Sequence, residues 1–204
     1  MSNAISHRAS KLAELVYDDR LDLAAIELAR FAYPDLVDDD VLPRLDVLAS
    51  EVQGTTHLAL RRVIGISHGI GGNVDDYDNP DNSYLNRVLA SRRGIPISLS
   101  ILWMEVGRRA GLEMQGVGLP GHFVVYAAGQ LVDPFHYGEA IGFDEAASLI
   151  ANAIGGDPRL DRRWLEPVGT ADIIRRVLRN LENAYTYEAP EHEWLAACQA
   201  ALRG

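Results

Sequence analysis

The chain has 204 residues, of which 48% are hydrophobic and 24% charged, values typical of an ordinary globular protein with one sizeable core. Its formal net charge of −10 argues against a nucleic-acid partner, because no dense stripe of lysine and arginine is present to neutralise phosphates. The single cysteine, Cys198, cannot form an internal disulfide, and every apolar run is shorter than the roughly 18 residues of a membrane span. We therefore expect a cytoplasmic protein that contacts no membrane.

The first third of the chain predicts helices. Apolar residues recur there at helical spacing, with a break before Pro34 because proline does not continue a helix. The carboxylates of Asp38–Asp40 are predicted to open the next helix, where they interact favourably with its dipole. Residues 65–82 are rich in glycine and asparagine and predict a loop. The aspartates of residues 75–78 lack the ligand spacing of an EF-hand, so we expect no calcium there.

Two helices are predicted in the middle of the chain. The first spans residues 82–93, capped by Asn82 or Ser83 and ended by Gly94. The second begins at Pro96, because proline suits the first turn of a helix, and it ends near residues 110–111. It is apolar nearly all round, which is typical of a central helix covered on several sides.

Strand-like segments follow at residues 114–118, 122–126 and 131–133, and residues 143–153, 170–187 and 190–202 return to helical periodicity. The last two helices carry facing apolar residues, so we expect them to form a helical hairpin on the core.

A histidine and an aspartate lie on two of the predicted strands. If Ala128 and Gly129 form a two-residue hairpin loop, Val124 faces Asp133, and His122 lies diagonally from Asp133 on the same side. A carboxylate beside an imidazole fixes its tautomer and stabilises its protonated form, as a general base requires. The alternative is a buried histidine satisfied by the aspartate for packing alone.

Four motifs in this region resemble the transglutaminase-like superfamily and, more narrowly, the bacterial Sir B-type invasion-regulator family. They are Asn-Ser-Tyr-Leu at 82–85, Arg-x-Gly-Ile-Pro-Ile-Ser-Leu at 92–99, Pro-Gly-His-Phe at 120–123 and Asp-Pro-Phe at 133–135. The resemblance covers roughly residues 40–145 and implies an α+β, mostly helical fold. Its papain-like core would be a central helix against a small antiparallel sheet, with His122 and Asp133 at the triad positions.

The resemblance also implies a division of the chain. Residues 1–80 would be an N-terminal helical region of the same domain, residues 81–145 the transglutaminase-like core, and residues 146–204 a C-terminal helical extension.

The third triad position departs from the family pattern. Active members carry their cysteine at a fixed distance before a glycine that corresponds to Gly111. The residue at that distance in this chain is Pro96, which cannot be a nucleophile. The nearest hydroxyls are those of Ser98 and Ser100, which point about 160° apart on a helix, so only one can face His122. Cys198 lies on the apolar stripe of the last helix, where we predict a core residue.

Two functions follow as hypotheses. In the first, which we favour, the chain is a degenerate module that binds a peptide or protein partner through the old cleft and acts as a regulator. A basic partner would suit the acidic surface. In the alternative, Ser98, His122 and Asp133 form the triad of a hydrolase or amidase that acts on peptide-like substrates. A third hypothesis makes the pair purely structural.

The cleft of either site would be lined by Asn82, Pro96, Ser100 and His136. A metal cluster of His122, Asp133 and His136 is chemically suited to zinc but shows no tight ligand spacing. We therefore expect neither metal nor cofactor.

Overall fold

The computed structural model describes residues 3–155, 162–186 and 188–203. It is α+β and mostly helical, as the sequence predicts, with a central helix packed against a small antiparallel sheet. No helix within the described ranges has both the length and the apolar character needed to cross a bilayer.

Short helices make up the N-terminal part. Their bounds are α1 (Asn3–Tyr17), α2 (Leu21–Ala29), α3 (Leu42–Ser50) and α4 (His57–Arg61), which continues as a wider helical turn over Arg62–Ser67. The predicted break before Pro34 is confirmed. Asp38–Asp40, predicted to open a helix, forms a separate 3-10 turn, and α3 begins later with Pro43 in its first turn.

The segment predicted as a loop over residues 65–82 contains regular structure. Gly71–Gly72 forms strand β1, and Pro80–Ser83 forms a 3-10 turn. Strand β1 pairs in parallel with β2 (Arg93–Gly94), which no periodicity predicted. This short pair ties the glycine-rich segment to the residues that lead into the central helix.

The predicted helix over residues 82–93 is too long at both ends. Helix α5 spans Leu85–Ser91, and its C-cap is Arg92 in the left-handed region at φ 62°. Gly94, which we expected to end the helix, lies in β2 instead. A Cβ at Gly94 would lie 2.8 Å from Ser98 Oγ, so this glycine permits close packing at the start of the next helix.

The central helix is α6 (Pro96–Arg109), with proline in its first turn as predicted. Every residue from 96 to 107 is buried, which confirms its central position. The helix ends at Arg109 with Ala110 as its C-cap, and Gly111 follows at φ +80°, a conformation that favours glycine.

One antiparallel sheet lies beside α6, in the order β6-β5-β4-β3-β7. Its strands are β3 (Met114–Leu119), β4 (His122–Ala127), β5 (Gln130–Asp133), β6 (Glu139–Ala140) and β7 (Pro167–Val168). Strand β7 comes from beyond residue 145, so the sheet extends outside the predicted core of residues 81–145. The three-part division of the chain stays a prediction.

The hairpin between β4 and β5 has the predicted register. Ala127 pairs with Gln130, and Ala128 and Gly129 form the two-residue loop at φ 50° and 85°. Positive φ at both loop residues is typical of a type I′ turn, whose twist matches that of the flanking strands. The register brings β4 and β5 into the alignment that the prediction of the His–Asp pair required.

Three more helices lie in the described residues after the sheet strands β3–β6: α7 (Phe143–Ile154), α8 (Thr170–Ala184) and α9 (Glu191–Ala201). Helix α6 covers one face of the sheet, and α7 packs on a smaller apolar cluster that includes Val117, Val124 and Leu131. Helices α8 and α9 pack on each other and on α1, as predicted for a helical hairpin. We expected α8 to end at Tyr187, which lies outside the described residues. The helix ends three residues earlier, at Ala184.

Candidate functional site

Two histidines and one aspartate share a hydrogen-bonded cluster at one end of the sheet. His122 Nε2 donates to Asp133 Oδ2 at 2.8 Å, and His136 Nδ1 donates to the same oxygen at 2.8 Å. Asp133 is 1% exposed and His122 9%, whereas the His136 side chain is 56% exposed. The hydrogen bond that His122 makes through Nε2 leaves its other ring nitrogen, Nδ1, uninvolved with the carboxylate, whereas in the Ser-His-Asp template the carboxylate holds Nδ1 and Nε2 faces the nucleophile.

The turn after β5 fixes the position of His136. Asp133 Oδ1 accepts the Phe135 N–H at 2.9 Å, and the Asp133 carbonyl accepts the Gly138 N–H at 2.8 Å. Gly138 has φ +76°, and a Cβ there would lie 1.9 Å from the ring of Trp103. Only glycine fits this position, so the turn is specified by α6 as well as by its own sequence.

The Asp133 carboxyl is ionised in this setting. Burial by itself raises the pKa of Asp133. The hydrogen bonds and charges of His122, and to a smaller extent those of His136, outweigh burial and hold the pKa below its usual value. The carboxylate therefore stays charged despite its burial.

Arg176 of α8 supports His122 from behind. One terminal nitrogen, Nη2, donates to the backbone carbonyls of Leu119 and His122, each at 2.8 Å, and the guanidinium lies 5.4 Å from the Phe123 ring centroid. Burial and the neighbouring Arg179 lower the pKa of Arg176. Sequence reasoning missed this residue, because nothing in the pattern of α8 ties one of its arginines to a distant turn.

Aromatic rings border the cluster on the solvent side. Phe135 lies 6.1 Å from the His122 ring, 5.3 Å from the His136 ring and 6.0 Å from Tyr77, all ring centroid distances. Tyr77 is 46% exposed and belongs to a loop in which residues 74–78 are all exposed, with aspartates at 75, 76 and 78. We call Tyr77, Phe135 and His136 the aromatic rim. Neither Tyr77 nor Phe135 was among the predicted cleft residues, although Phe135 stands within the Asp-Pro-Phe motif.

Asn82, predicted to line the cleft, is 4% exposed and holds this loop. Its Oδ1 accepts from Asn73 Nδ2 at 2.9 Å, and its Nδ2 donates to the carbonyls of Asp76 and Tyr77 at 2.6 and 3.1 Å. Asn82 therefore positions Tyr77 instead of presenting its own amide to a ligand. Pro96, also predicted to line the cleft, is buried in the first turn of α6.

Ser98, the predicted serine nucleophile, is engaged by the backbone. It is 1% exposed, its Oγ donates to the Asn82 carbonyl, and Oγ also accepts the Ile95 N–H at 3.2 Å. These contacts cap the start of α6. Ser98 lies two helical turns before Glu105, on the side of α6 that meets α2, and within the described residues its hydroxyl bonds to the backbone of Asn82 and Ile95.

Ser100 lies on another side of α6. It is two turns before Gly107, where a Cβ would lie 2.6 Å from the Met114 sulfur of β3, so Ser100 belongs to the stripe that faces the sheet. Its Oγ is fully buried and has no hydrogen-bond partner among the described residues. The burial of Ser100 therefore keeps its hydroxyl away from a substrate.

Cys198 is part of the core, as predicted. It is 0% exposed in α9, and burial together with the charge of Glu27 raises the pKa of its thiol to about 12. At neutral pH it is a protonated thiol, which is a poor nucleophile.

The donor set of His122, Asp133 and His136 is the one group of three potential metal ligands found within the described ranges. One ligand atom from each lies within 4.8 Å of the others. Imidazole and carboxylate are common ligands of zinc and related ions.

A central helix with proline in its first turn, a small antiparallel sheet and a His–Asp pair on adjacent strands define a transglutaminase-like protein. The sequence model described as the transglutaminase-like superfamily matches residues 28–179. A UPF0162 protein of Xylella fastidiosa (strain 9a5c) is 36% identical over 206 residues, which cover 92% of this chain and 72% of that protein. The chain therefore belongs to the transglutaminase-like superfamily and, within it, to the UPF0162 proteins.

Other relatives share smaller parts. A UPF0162 protein of Pseudomonas aeruginosa is 31% identical over 132 residues, covering 63% of this chain and 47% of that protein. F-box only protein 21 of Mus musculus is 35% identical over 95 residues, covering 45% of this chain and 15% of that protein. No solved structure matches the chain.

Proposed function

We propose that this chain is a transglutaminase-like module that binds a peptide or protein partner beside His122 and acts as a regulator, not as an acyl-transfer enzyme. One observation carries the proposal. The His–Asp pair is intact, whereas the one thiol of the chain is buried in α9 with its pKa raised to about 12.

The alternative of a serine hydrolase finds little support in the contacts of Ser98. A serine nucleophile must donate its proton to the general base, but the Ser98 hydroxyl donates to the Asn82 carbonyl. Pro96 also removes one of the backbone N–H groups that a helix start could offer to an oxyanion. Both observations favour binding over catalysis.

The surroundings of His122 suit a basic, extended peptide. The aromatic rim offers partly exposed rings for apolar and cation–π contacts. The exposed aspartates at 75, 76 and 78 stand beside Tyr77, and the net charge of −10 attracts cationic partners over longer range. The narrower resemblance to the Sir B-type invasion-regulator family supports a regulatory role for such binding.

The first test is chemical. The native protein is treated at neutral pH with iodoacetamide, a fluorophosphonate and a glutamine-containing peptide carrying an electrophile, and each product is weighed by mass spectrometry. We expect no adduct until urea exposes Cys198, which then takes up one iodoacetamide. A covalent adduct on a side chain next to His122 in the folded protein would refute the proposal.

The second test measures binding by calorimetry. Peptides rich in lysine and arginine are screened against peptides of the same length rich in glutamate. We expect the basic set to contain binders, and Tyr77→Ala to weaken them about tenfold or more, as loss of an aromatic anchor does. Tyr17→Ala is the matched control, because Tyr17 is 91% exposed on α1. Equal effects of the two substitutions, or binding of the acidic set alone, would count against the proposal.

A further inference from the structure

We propose that His122, Asp133 and His136 form a binding site for a divalent transition-metal ion of the zinc type. The proposal goes beyond the proposed function and does not depend on it. It starts from the three ligand atoms that lie within 4.8 Å of one another, which sequence spacing did not lead us to expect.

The geometry of the three groups is close to that of a coordination site. Each imidazole nitrogen lies 2.8 Å from Asp133 Oδ2. Ligands arranged tetrahedrally around an ion, each 2.0–2.2 Å from it, are about 3.3–3.6 Å apart. Each imidazole nitrogen would therefore move about 0.5–0.8 Å away from Asp133 Oδ2 and release its proton to become a ligand.

The support of each ligand permits that shift. Asp133 is held by the Phe135 N–H on Oδ1, which orients the carboxylate and leaves Oδ2 for the ion. The backbone of His122 is held by Arg176. His136 has a side chain that is 56% exposed, so its ring can adjust without disturbing the core.

The chemistry of the donors selects the class of ion. Two imidazoles and one carboxylate suit zinc, cobalt and iron(II), whereas calcium and magnesium prefer oxygen ligands throughout. The three ligands leave positions on the exposed side, where His136 meets solvent, for water or for a group of a bound partner. The site would then offer a Lewis acid where the superfamily pattern has lost its thiol.

A second histidine–carboxylate pair in the same chain provides a control. His68 Nε2 lies 2.7 Å from Glu51 Oε2, as close as the contacts in the cluster. Both side chains are partly exposed, at 31% and 43%, and within the described ranges no third ligand joins them. The pair tests whether the three-ligand arrangement is needed or a surface histidine beside a carboxylate suffices.

The experiment uses the full chain, treated with a chelator and then dialysed against Zn²⁺ or Co²⁺, with metal content read by mass spectrometry and affinity by calorimetry. We expect about one ion per chain. His136→Ala should lower the affinity about tenfold or more, since it removes an exposed ligand without opening the core. His68→Ala should bind as the unsubstituted chain does.

Circular dichroism checks that each variant is folded, and His136→Gln provides a second substitution if His136→Ala is unstable. The proposal is overturned if the chain takes up no ion, or if His136→Ala and His68→Ala lose the same affinity. Because these titrations contain no peptide, their failure leaves the peptide-binding result unaffected. The peptide titrations are run in chelator, so their failure likewise leaves the metal result unaffected.

Discussion

The C-terminal end of α6 and the His122 site both hold buried carboxylates, but they neutralise them differently. At the end of α6, Arg109 donates to Glu105 Oε2 at 2.7 Å and to Asp22 Oδ2 at 2.8 Å. Arginine stays protonated at any physiological pH, so that neutralisation is permanent. In the site, Asp133 instead accepts hydrogen bonds from two imidazoles.

The difference indicates which carboxylates serve the fold and which serve function. Asp22 and Glu105 are 7% and 4% exposed and join α2 to the central helix. Their cation cannot be exchanged without loss of stability. Asp133 is bonded instead by two histidines, of which His136 has a side chain that is more than half exposed.

The largest effect is expected from Arg109→Met, which removes the guanidinium shared by Asp22 and Glu105 and leaves them only the more exposed Arg20 and Arg108, at 3.5 and 3.1 Å. We expect a loss of about 3 kcal/mol in the free energy of unfolding, measured with urea. Lys11→Met is the control, because Lys11 and Glu14 form an exposed pair at 3.5 Å, for which we expect less than about 1 kcal/mol. Adding Asp22→Asn and Glu105→Gln to Arg109→Met should restore much of the loss. Equal losses for Arg109→Met and Lys11→Met would contradict the structural role of this end.

A smaller, pH-dependent effect is expected from Asp133→Asn. The substitution removes two charge-assisted hydrogen bonds, at a cost of about 1–3 kcal/mol at pH 7. Because the folded-state pKa of Asp133 is lowered, its stabilisation is present above the unfolded value of about 3.9 and is lost as pH falls through the folded pKa. Urea unfolding at pH 7 and in acid below that pKa should show the two proteins converging.

Glu51→Gln is the matched control for Asp133→Asn, because it breaks the surface pair with His68. We expect it to cost less than about 1 kcal/mol at pH 7. A gap between the unsubstituted chain and Asp133→Asn that stays constant down to acid pH would show that Asp133 is not ionised in the fold.

The smallest effect is expected from Ser98→Ala, which removes the cap of α6. The Asn82 carbonyl and the Ile95 N–H lose a buried partner, so unfolding should become easier by about 1 kcal/mol. Ser148→Ala, which removes an exposed hydroxyl bonded to the Asp144 carbonyl, should change stability by less than about 0.5 kcal/mol. Unchanged stability in Ser98→Ala, with loss of a hydrolytic activity, would assign Ser98 to catalysis instead.

The hairpin that carries the His–Asp pair could be predicted from the sequence because a two-residue loop fixes the register of both strands. With Ala128 and Gly129 as the loop, the two strands can pair in one alignment, and the structure shows that alignment. The β1–β2 pair could not be predicted, because two residues in each strand show no periodicity. Gly94 misled the helix prediction, since Arg92 takes the left-handed conformation that a glycine usually provides.

The rest of the site depends on contacts between distant parts of the chain. His136 was predicted to line the cleft because it follows Asp133-Pro134-Phe135, but its bond to Asp133 comes from a turn whose shape depends on Trp103 and Gly138. Tyr77 reaches the site through the amide of Asn82, and Arg176 reaches it from α8. None of these links leaves a local pattern in the sequence.

The contact between Trp103 and the turn that carries His136 has an experimental consequence. The indole of Trp103 is fully buried and lies against Gly138, two residues beyond His136. A shift of that turn would change the surroundings of the indole and hence its intrinsic fluorescence. The chain thus contains a built-in optical reporter, and replacing Trp164 and Trp194 by phenylalanine would isolate its emission.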